Sequence, residues 1–309
     1  MAHTIVTWLV SNDVPLFTFG QRHASQLRDA TGATVRIAGN EAEFVAALPD
    51  ADIVLTWRFR QEWFAHAPRL RWIATPAAGR DDLRHLTLPV GVRVTHGTFH
   101  GEFMAETVVG MMLAEVRGIA DALRLPGPWP RREIAARMKT LRGSHVVILG
   151  YGHIGKWIAG LLQPFGVRIT GIRRHAAPDA LPVTELDSVL PTTDHLVLVL
   201  PAEEDSRNLM DARRLALLPP HAILYSVGRG HCVDEAALAA ALGRGRLRAA
   251  YLDVFQKEPL PATSPLRGTP GFVLLPHASA AADQYLDRFV AEVIVQYGDA
   301  TGRGEPGGR

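Results

Sequence analysis

The sequence predicts an α/β protein built from two doubly wound parallel-sheet domains. Three observations carry that expectation. Over residues 1–100, short apolar runs of strand length alternate with helical patterns. The same alternation restarts at Val146 and continues to Leu275. At the restart, four apolar, mostly β-branched residues lead into Gly150-Tyr151-Gly152-His153-Ile154-Gly155, and a helical pattern follows over residues 156–165.

Taken in order, strands are expected at residues 5–10, 35–38, 53–57, 72–75 and 92–95, with helices at 21–30, 41–48 and 61–67. A βα alternation of this kind gives a parallel, flavodoxin-like sheet covered on both faces. Residues 102–121 contain no proline and carry a long apolar face of Phe103, Val109, Met112, Leu113 and Val116, so one helix is expected to cross from the first domain to the second. Leu125-Pro-Gly-Pro-Trp129-Pro breaks it. That segment is either a linker or an arm that reaches a second subunit and covers Trp129. Strands follow at 167–172, 196–200, 223–227, 249–254 and 273–275, with helices around 207–217 and 234–243. A last helix, 283–297, returns to cover the first domain, and the Gly, Pro and charge-rich tail 301–309 is expected to be mobile. The resulting division is 1–100 plus 281–309 around an inserted domain, 101–280.

Composition narrows the function classes. The 309 residues include 33 basic and 31 acidic side chains, a formal charge of +2, so bulk charge indicates neither a nucleic acid nor an anionic membrane partner. No run reaches the ~18 apolar residues of a membrane span. The single cysteine, Cys232, suits a reducing cytoplasm and reads as a small apolar filler. No His, Cys, Asp or Glu spacing suggests a metal, and a lone histidine such as His100 reads as a hydrogen-bonded bystander.

The G-x-G-x-x-G turn points to a dinucleotide. Its first glycine permits the turn, the second lets backbone approach a pyrophosphate, and the third lets helix lie close on strand. The helix N-terminus then meets the phosphates. The residue ending the second strand faces the adenosine ribose, where a carboxylate would select NAD. Here that strand ends in Arg173 and Arg174, and a guanidinium grips a phosphate, so NADP(H) is expected ahead of NAD(H). Three more strand ends carry one functional group each: Arg229 between Gly228 and Gly230, Glu258 before Pro259, and His277 after Pro276. Open α/β sheets bind ligands at such ends.

These motifs resemble, in order and spacing, the D-isomer-specific 2-hydroxyacid dehydrogenases. The resemblance rests on Gly150 to Gly155, Ser226-Val227-Gly228-Arg229-Gly-His-Cys-Val-Asp-Glu235, Leu252-Asp253-Val-Phe-Gln-Lys-Glu258-Pro, Pro276-His277, the loop Thr75-Pro-Ala-Ala78-Gly79-Arg-Asp, and Met104-Ala-Glu106. It implies a Rossmann domain inserted in a flavodoxin-like substrate domain, a homodimer through the cofactor domain, and a small 2-oxo or D-2-hydroxy acid as substrate. It further implies His277 as acid/base, Glu258 as the carboxylate that fixes its ring and favours its protonated form, and Arg229 as the partner of the substrate carboxylate. Backbone N–H groups of Ala78 and Gly79 would take the same carboxylate. Leu200, Pro201, Val227, Gly228 and Asp253 would line the cofactor with the glycine loop. Trp57 and Arg58 follow a strand end of the first domain; Arg58 either binds a second anionic group or points to solvent.

The chain departs from the family pattern at several points. Arg173 replaces the acidic residue at the ribose, as in the NADP-preferring branch, yet Glu203-Glu204-Asp205 stands where those carboxylates can oppose a 2′-phosphate. Ser226 replaces an asparagine common before the arginine. Glu258 is where formate-oxidising relatives carry glutamine, and no extra C-terminal regulatory domain is expected, which points away from a serine-pathway phosphoglycerate enzyme. Glyoxylate or hydroxypyruvate is the first candidate substrate. The alternatives are an NAD-dependent enzyme for a bulkier acid and a non-catalytic, dinucleotide-sensing corepressor.

Overall fold

Every residue of Ile53–Thr56 and Trp72–Thr75 is buried, as expected of strands covered by helices on both faces. The computed structural model describes residues 2–124 and 129–301. The Pro–Gly stretch 125–128, read from sequence as linker or arm, and the tail 302–309 lie outside the described residues.

In the first unit, up to His100, the elements are β1 (Thr4–Trp8), α1 (Gln21–Thr31), β2 (Thr34–Ile37), α2 (Glu41–Ala47), β3 (Ile53–Thr56), β4 (Trp72–Thr75) and β5 (Arg93–His96). The five strands are parallel in the order β2-β1-β3-β4-β5, the flavodoxin-like arrangement. Asn40 caps α2 by accepting from the Glu43 N–H, and Gly32, left-handed at φ +67°, closes α1. Residues 61–66 form a 3-10 helix in place of the expected α-helix. The segment is too short to sustain an α-helix alone, and Trp63 anchors it against Phe44 and Phe59.

The second unit, Gly101–Ala280, contains a seven-stranded parallel sheet. The chain runs through α3 (His100–Val116), α4 (Ile119–Arg124), α5 (Arg131–Ala135), β6 (His145–Leu149), α6 (His153–Leu162), β7 (Arg168–Arg173), β8 (Leu181–Pro182), α7 (Leu186–Val189), β9 (His195–Leu198), α8 (Ala212–Leu215), β10 (Ile223–Ser226), α9 (Glu235–Gly243), β11 (Ala249–Leu252) and β12 (Phe272–Leu274). The sheet order β12-β11-β10-β9-β6-β7-β8 is the Rossmann arrangement, with β6 between β9 and β7. Leu196, Leu198, Leu224 and Leu252 bury one face with Leu238 of α9, whereas Val146, Ile148 and Val197 bury the other with α3 and α6. The buried Glu115 ties α3 to the sheet by accepting from Tyr251 Oη at 2.7 Å and Arg248 Nε at 3.0 Å.

Two further helices, both in the second unit, differ from expectation. The long helix over 102–121 breaks at Gly118, which turns left-handed at φ +69° and separates α3 from α4. The helix expected over 207–217 contracts to the four residues of α8, because Met210 pairs with Val233 and Asp211 caps at Arg214 N. After β12 the chain returns to the first unit as α10 (Tyr285–Thr301), which packs on α1 and joins it through Arg22–Asp287 at 2.9 Å.

Candidate active site

The β6–α6 junction has the shape that a pyrophosphate needs. Gly150 sits at φ +100°, and a Cβ there would lie 2.3 Å from the Val199 carbonyl oxygen. A Cβ on Gly155 would lie 2.6 Å from the Gly150 oxygen. Gly152, the residue that precedes α6, has nothing within 4 Å of such a position. The loop is thus closed where backbone meets strand and open at the helix N-terminus, so the residues present fit a dinucleotide. Tyr151 lays its ring on Gly171 of β7 and leaves only main chain to the loop, while His153 is exposed and Ile154 half-buried. The loops holding Leu200 and Pro201 and holding Val227 and Gly228 interlock: a Cβ on Gly228 would meet Leu200 N at 2.5 Å.

At the end of β7, Arg173 and Arg174 are both exposed. Arg174 reaches across to the loop after β9 and pairs with Glu203 and, at 2.7 Å, with Asp205. Glu204 turns away to Arg207 at 3.0 Å. Two of the three acids noted in the sequence therefore face the arginine expected at the ribose.

Arg229 is half-buried and extended, held between glycines that admit no side chain: a Cβ on Gly230 would stand 2.0 Å from the Phe255 carbonyl carbon. Its Nη1 donates to the Gly228 oxygen at 2.9 Å. Phe255 N in turn donates to Glu258 Oε1 at 2.9 Å, and Glu258 Oε2 lies 2.7 Å from His277 Nδ1. Glu258 and His277 are thereby bonded across the loops that follow β11 and β12, and the loop after β10 that carries Arg229 packs beside them where Gly230 meets the Phe255 main chain. The His277 side chain is 53% exposed, and with Nδ1 committed to Glu258, Nε2 is the nitrogen available to a substrate oxygen.

His277 adopts φ +52°, a conformation that costs a non-glycine residue roughly 1–3 kcal/mol. Asp253 holds it there. Fully buried, it receives the His277 N–H on its main-chain oxygen at 2.9 Å and the N–H groups of Ala278 and Ser279 on its carboxylate at 2.6 and 2.9 Å. Thr107 of α3 donates to the Ser279 oxygen at 2.9 Å. Sequence reasoning placed Asp253 at the cofactor; its bonds here make it the support of the histidine loop. Cys232 is buried, and burial pushes its thiol up to about 11, which fits a filler and not a nucleophile.

In the first unit, Ala78 and Gly79 follow β4, with Ala78 exposed. His96 of β5 backs this loop, and burial, with Arg80 nearby, holds the imidazole below its ordinary range. Trp57 and Arg58, adjacent in sequence, diverge. Trp57 joins Phe17 and Tyr285, with ring centroids 5.9 and 6.2 Å away, and Tyr285 also meets Phe99 at 4.8 Å. Arg58 stacks over Trp8 at 5.1 Å. Phe17 and Tyr285 were not singled out from sequence, because neither belongs to a motif and Tyr285 comes from the far end of the chain. Among the described residues no cluster suits a metal ion, and no helix is long and apolar enough to cross a membrane.

A family model, D-isomer specific 2-hydroxyacid dehydrogenase, NAD binding domain, matches residues 109–279. Glyoxylate/hydroxypyruvate reductase B of Pectobacterium atrosepticum is 35% identical over 237 residues, covering 72% of this chain and 73% of the relative. A D-isomer specific 2-hydroxyacid dehydrogenase family protein from Aeromonas salmonicida superposes with a TM-score of 0.80 at 29% identity, covering 99% and 98% of the two chains. A family structure from Xanthobacter autotrophicus, in complex with NADPH and MES, gives 0.78 at 29% identity, covering 97% and 96%. With the Rossmann sheet and its glycine loop, these matches make the chain a member of the D-isomer-specific 2-hydroxyacid dehydrogenases, NAD(P)-dependent oxidoreductases.

Proposed function

We propose that this dehydrogenase is a cytoplasmic, NADPH-preferring reductase of small 2-oxo acids, with glyoxylate or hydroxypyruvate as its first substrates and the D-2-hydroxy acid as product. The Gly101–Ala280 unit is read as the dinucleotide-binding domain and the other unit as the substrate domain. The observation that carries the reading is the 2.7 Å bond from Glu258 to His277 Nδ1, next to a glycine-held Arg229. When bound, the nicotinamide supplies or accepts the hydride at the 2-carbon. His277 Nε2 gives the carbonyl oxygen its proton, which leaves the ring neutral with its Nδ1–H still held by Glu258. Arg229 grips the carboxylate and polarises the carbonyl, and the N–H groups of Ala78 and Gly79 are read as anion-binding groups of the substrate domain. Trp57 is read as a wall of the substrate site, whereas the stacking of Arg58 on Trp8 favours a packing role for that residue.

The name of the Pectobacterium relative supports the substrate class, and the NADPH in the Xanthobacter structure, together with Arg173 at the end of β7, supports the cofactor. Two observations favour a second reading, an NAD-dependent enzyme for a bulkier 2-oxo acid: Glu203 and Asp205 engage Arg174, and Phe17, Trp57, Phe99 and Tyr285 form an aromatic group in the first unit. The homodimer is proposed to form through the second unit, where Leu123 and Trp129 are 84% and 80% exposed. Initial rates with glyoxylate and hydroxypyruvate, each with NADPH and NADH at equal concentration, test the reading. A preference for NADPH is expected; turnover only with NADH and a larger acid selects the second reading.

A further inference from the structure

We propose that Glu203 and Asp205 act as a carboxylate clamp on Arg174, competing with the 2′-phosphate of NADP(H) and so setting how strongly this enzyme prefers it over NAD(H). The proposal rests on the reading that the adenosine ribose lies at the end of β7. β7 and β9 flank β6 on either side, so their carboxyl-end loops stand on the two sides of the glycine loop. Arg174, just past β7, pairs with two acids on the β9 side. The guanidinium is held by the protein's own anions at the place where a bound phosphate would want it.

The clamp is built rather than incidental. The Ser206 hydroxyl lies 3.0 Å from the Pro201 oxygen and 2.7 Å from the Glu203 oxygen, and 2.8 Å from His231 Nε2, which itself lies 3.2 Å from the Glu203 oxygen. These bonds pin the 201–206 loop to the loop that follows Arg229. The middle acid, Glu204, is drawn to Arg207, so the two flanking acids alone turn to Arg174. Glu203 and Asp205 together outweigh the charge of Arg174, which weakens the local attraction for a phosphate monoester of about −1.5 to −2. A 2′-phosphate must both displace two carboxylates and then stand beside them. The ribose hydroxyl of NAD(H) meets neither penalty.

Isothermal titration of the full chain with 2′,5′-ADP and with 5′-AMP, which lacks the 2′-phosphate, separates these effects without turnover. The side chains are exposed, 51% for Arg174, 43% for Glu203 and 61% for Asp205, so substitution leaves the core intact. Glu203→Gln with Asp205→Asn is expected to tighten 2′,5′-ADP about ten-fold and to move 5′-AMP less than two-fold, each single variant giving part of the gain. The scale is that of two exposed ion pairs. Arg174→Gln is expected to weaken 2′,5′-ADP alone. If Arg174→Gln weakens it but the double variant brings no gain, or an equal gain for both ligands, the clamp is wrong and the NADP reading stands. If neither Arg173→Gln nor Arg174→Gln changes 2′,5′-ADP, the ribose-end reading itself fails, and the clamp with it.

Discussion

Replacing Asp253 by asparagine is expected to dislodge the proposed acid/base without touching it. Both carboxylate oxygens accept main-chain N–H groups, from Ala278 at 2.6 Å and Ser279 at 2.9 Å, in a fully buried position. An amide keeps one acceptor and turns an N–H donor toward the other N–H. One charge-assisted bond, worth about 1.5–3 kcal/mol, is lost, and the second weakens to the neutral range of about 0.5–1.5 kcal/mol. The sum, about 3 kcal/mol, is comparable to what the left-handed His277 needs to be held, roughly 1–3 kcal/mol. The His277 loop then leaves its position before the sheet unfolds. Misplacement of a reacting group by about 1 Å costs on the order of 100-fold in rate. The assay pairs kcat for 2-oxo acid reduction with a urea midpoint: kcat should fall about 100-fold and stability by up to about 3 kcal/mol. A variant with native kcat and native midpoint would show that these two bonds do not position His277.

Other consequences follow from burial and backbone geometry. His195 is buried against Tyr225 Oη at 3.1 Å, and burial lowers its pKa to about 4. Its unfolded value is near 6.5, so the unfolded chain binds the extra proton between those values. Stability is therefore full above about pH 6.5 and declines toward pH 4, with up to about 3 kcal/mol from this one residue. Comparing urea midpoints at pH 7 and pH 4.5 for the parent and His195→Gln checks this; an equal acid loss in both would refute the assignment. Alanine at Gly150, with its Cβ 2.3 Å from the Val199 oxygen at φ +100°, should destabilise the fold by at least about 2 kcal/mol. Alanine at Gly152, where the space is open, should leave the melting temperature within a few degrees yet weaken NADPH binding ten-fold or more in a fluorescence titration. Matching losses of stability in the two variants would contradict the distinction between closed and open glycines.

Much of this was legible in the sequence, and the limits have physical causes. The β6–turn–α6 unit could be read because strand period, glycine spacing and helix period agree over a short stretch. Most strand ends fell within two residues of expectation for the same reason. The turn at Gly118 is silent in the sequence because a single glycine is compatible with a helix; it shows only in the φ of +69° and in Ile134, which packs where a Cβ would lie 2.7 Å away. The strand-end placement of Arg229, Glu258 and His277 was visible, but the bond between the last two and the supports beneath them were not. The Glu258 bond to His277 and the Asp253 carboxylate on the His277 loop depend on which strand ends lie side by side. The Arg174 contact was half visible: three acids stood in the right loop, but which two face the arginine depends on Arg207 and Ser206. Tyr285 and Phe17 could not be paired from sequence, since they lie at opposite ends of the chain.

The proposed chemistry turns on His277, and one substitution addresses it. His277→Ala removes the proposed proton donor while leaving the glycine loop untouched. Steady-state reduction of hydroxypyruvate, measured beside NADPH affinity by fluorescence titration, is predicted to show kcat reduced on the order of 1000-fold with affinity changed less than about three-fold. A variant that binds NADPH normally and retains kcat within about ten-fold of the parent would contradict it.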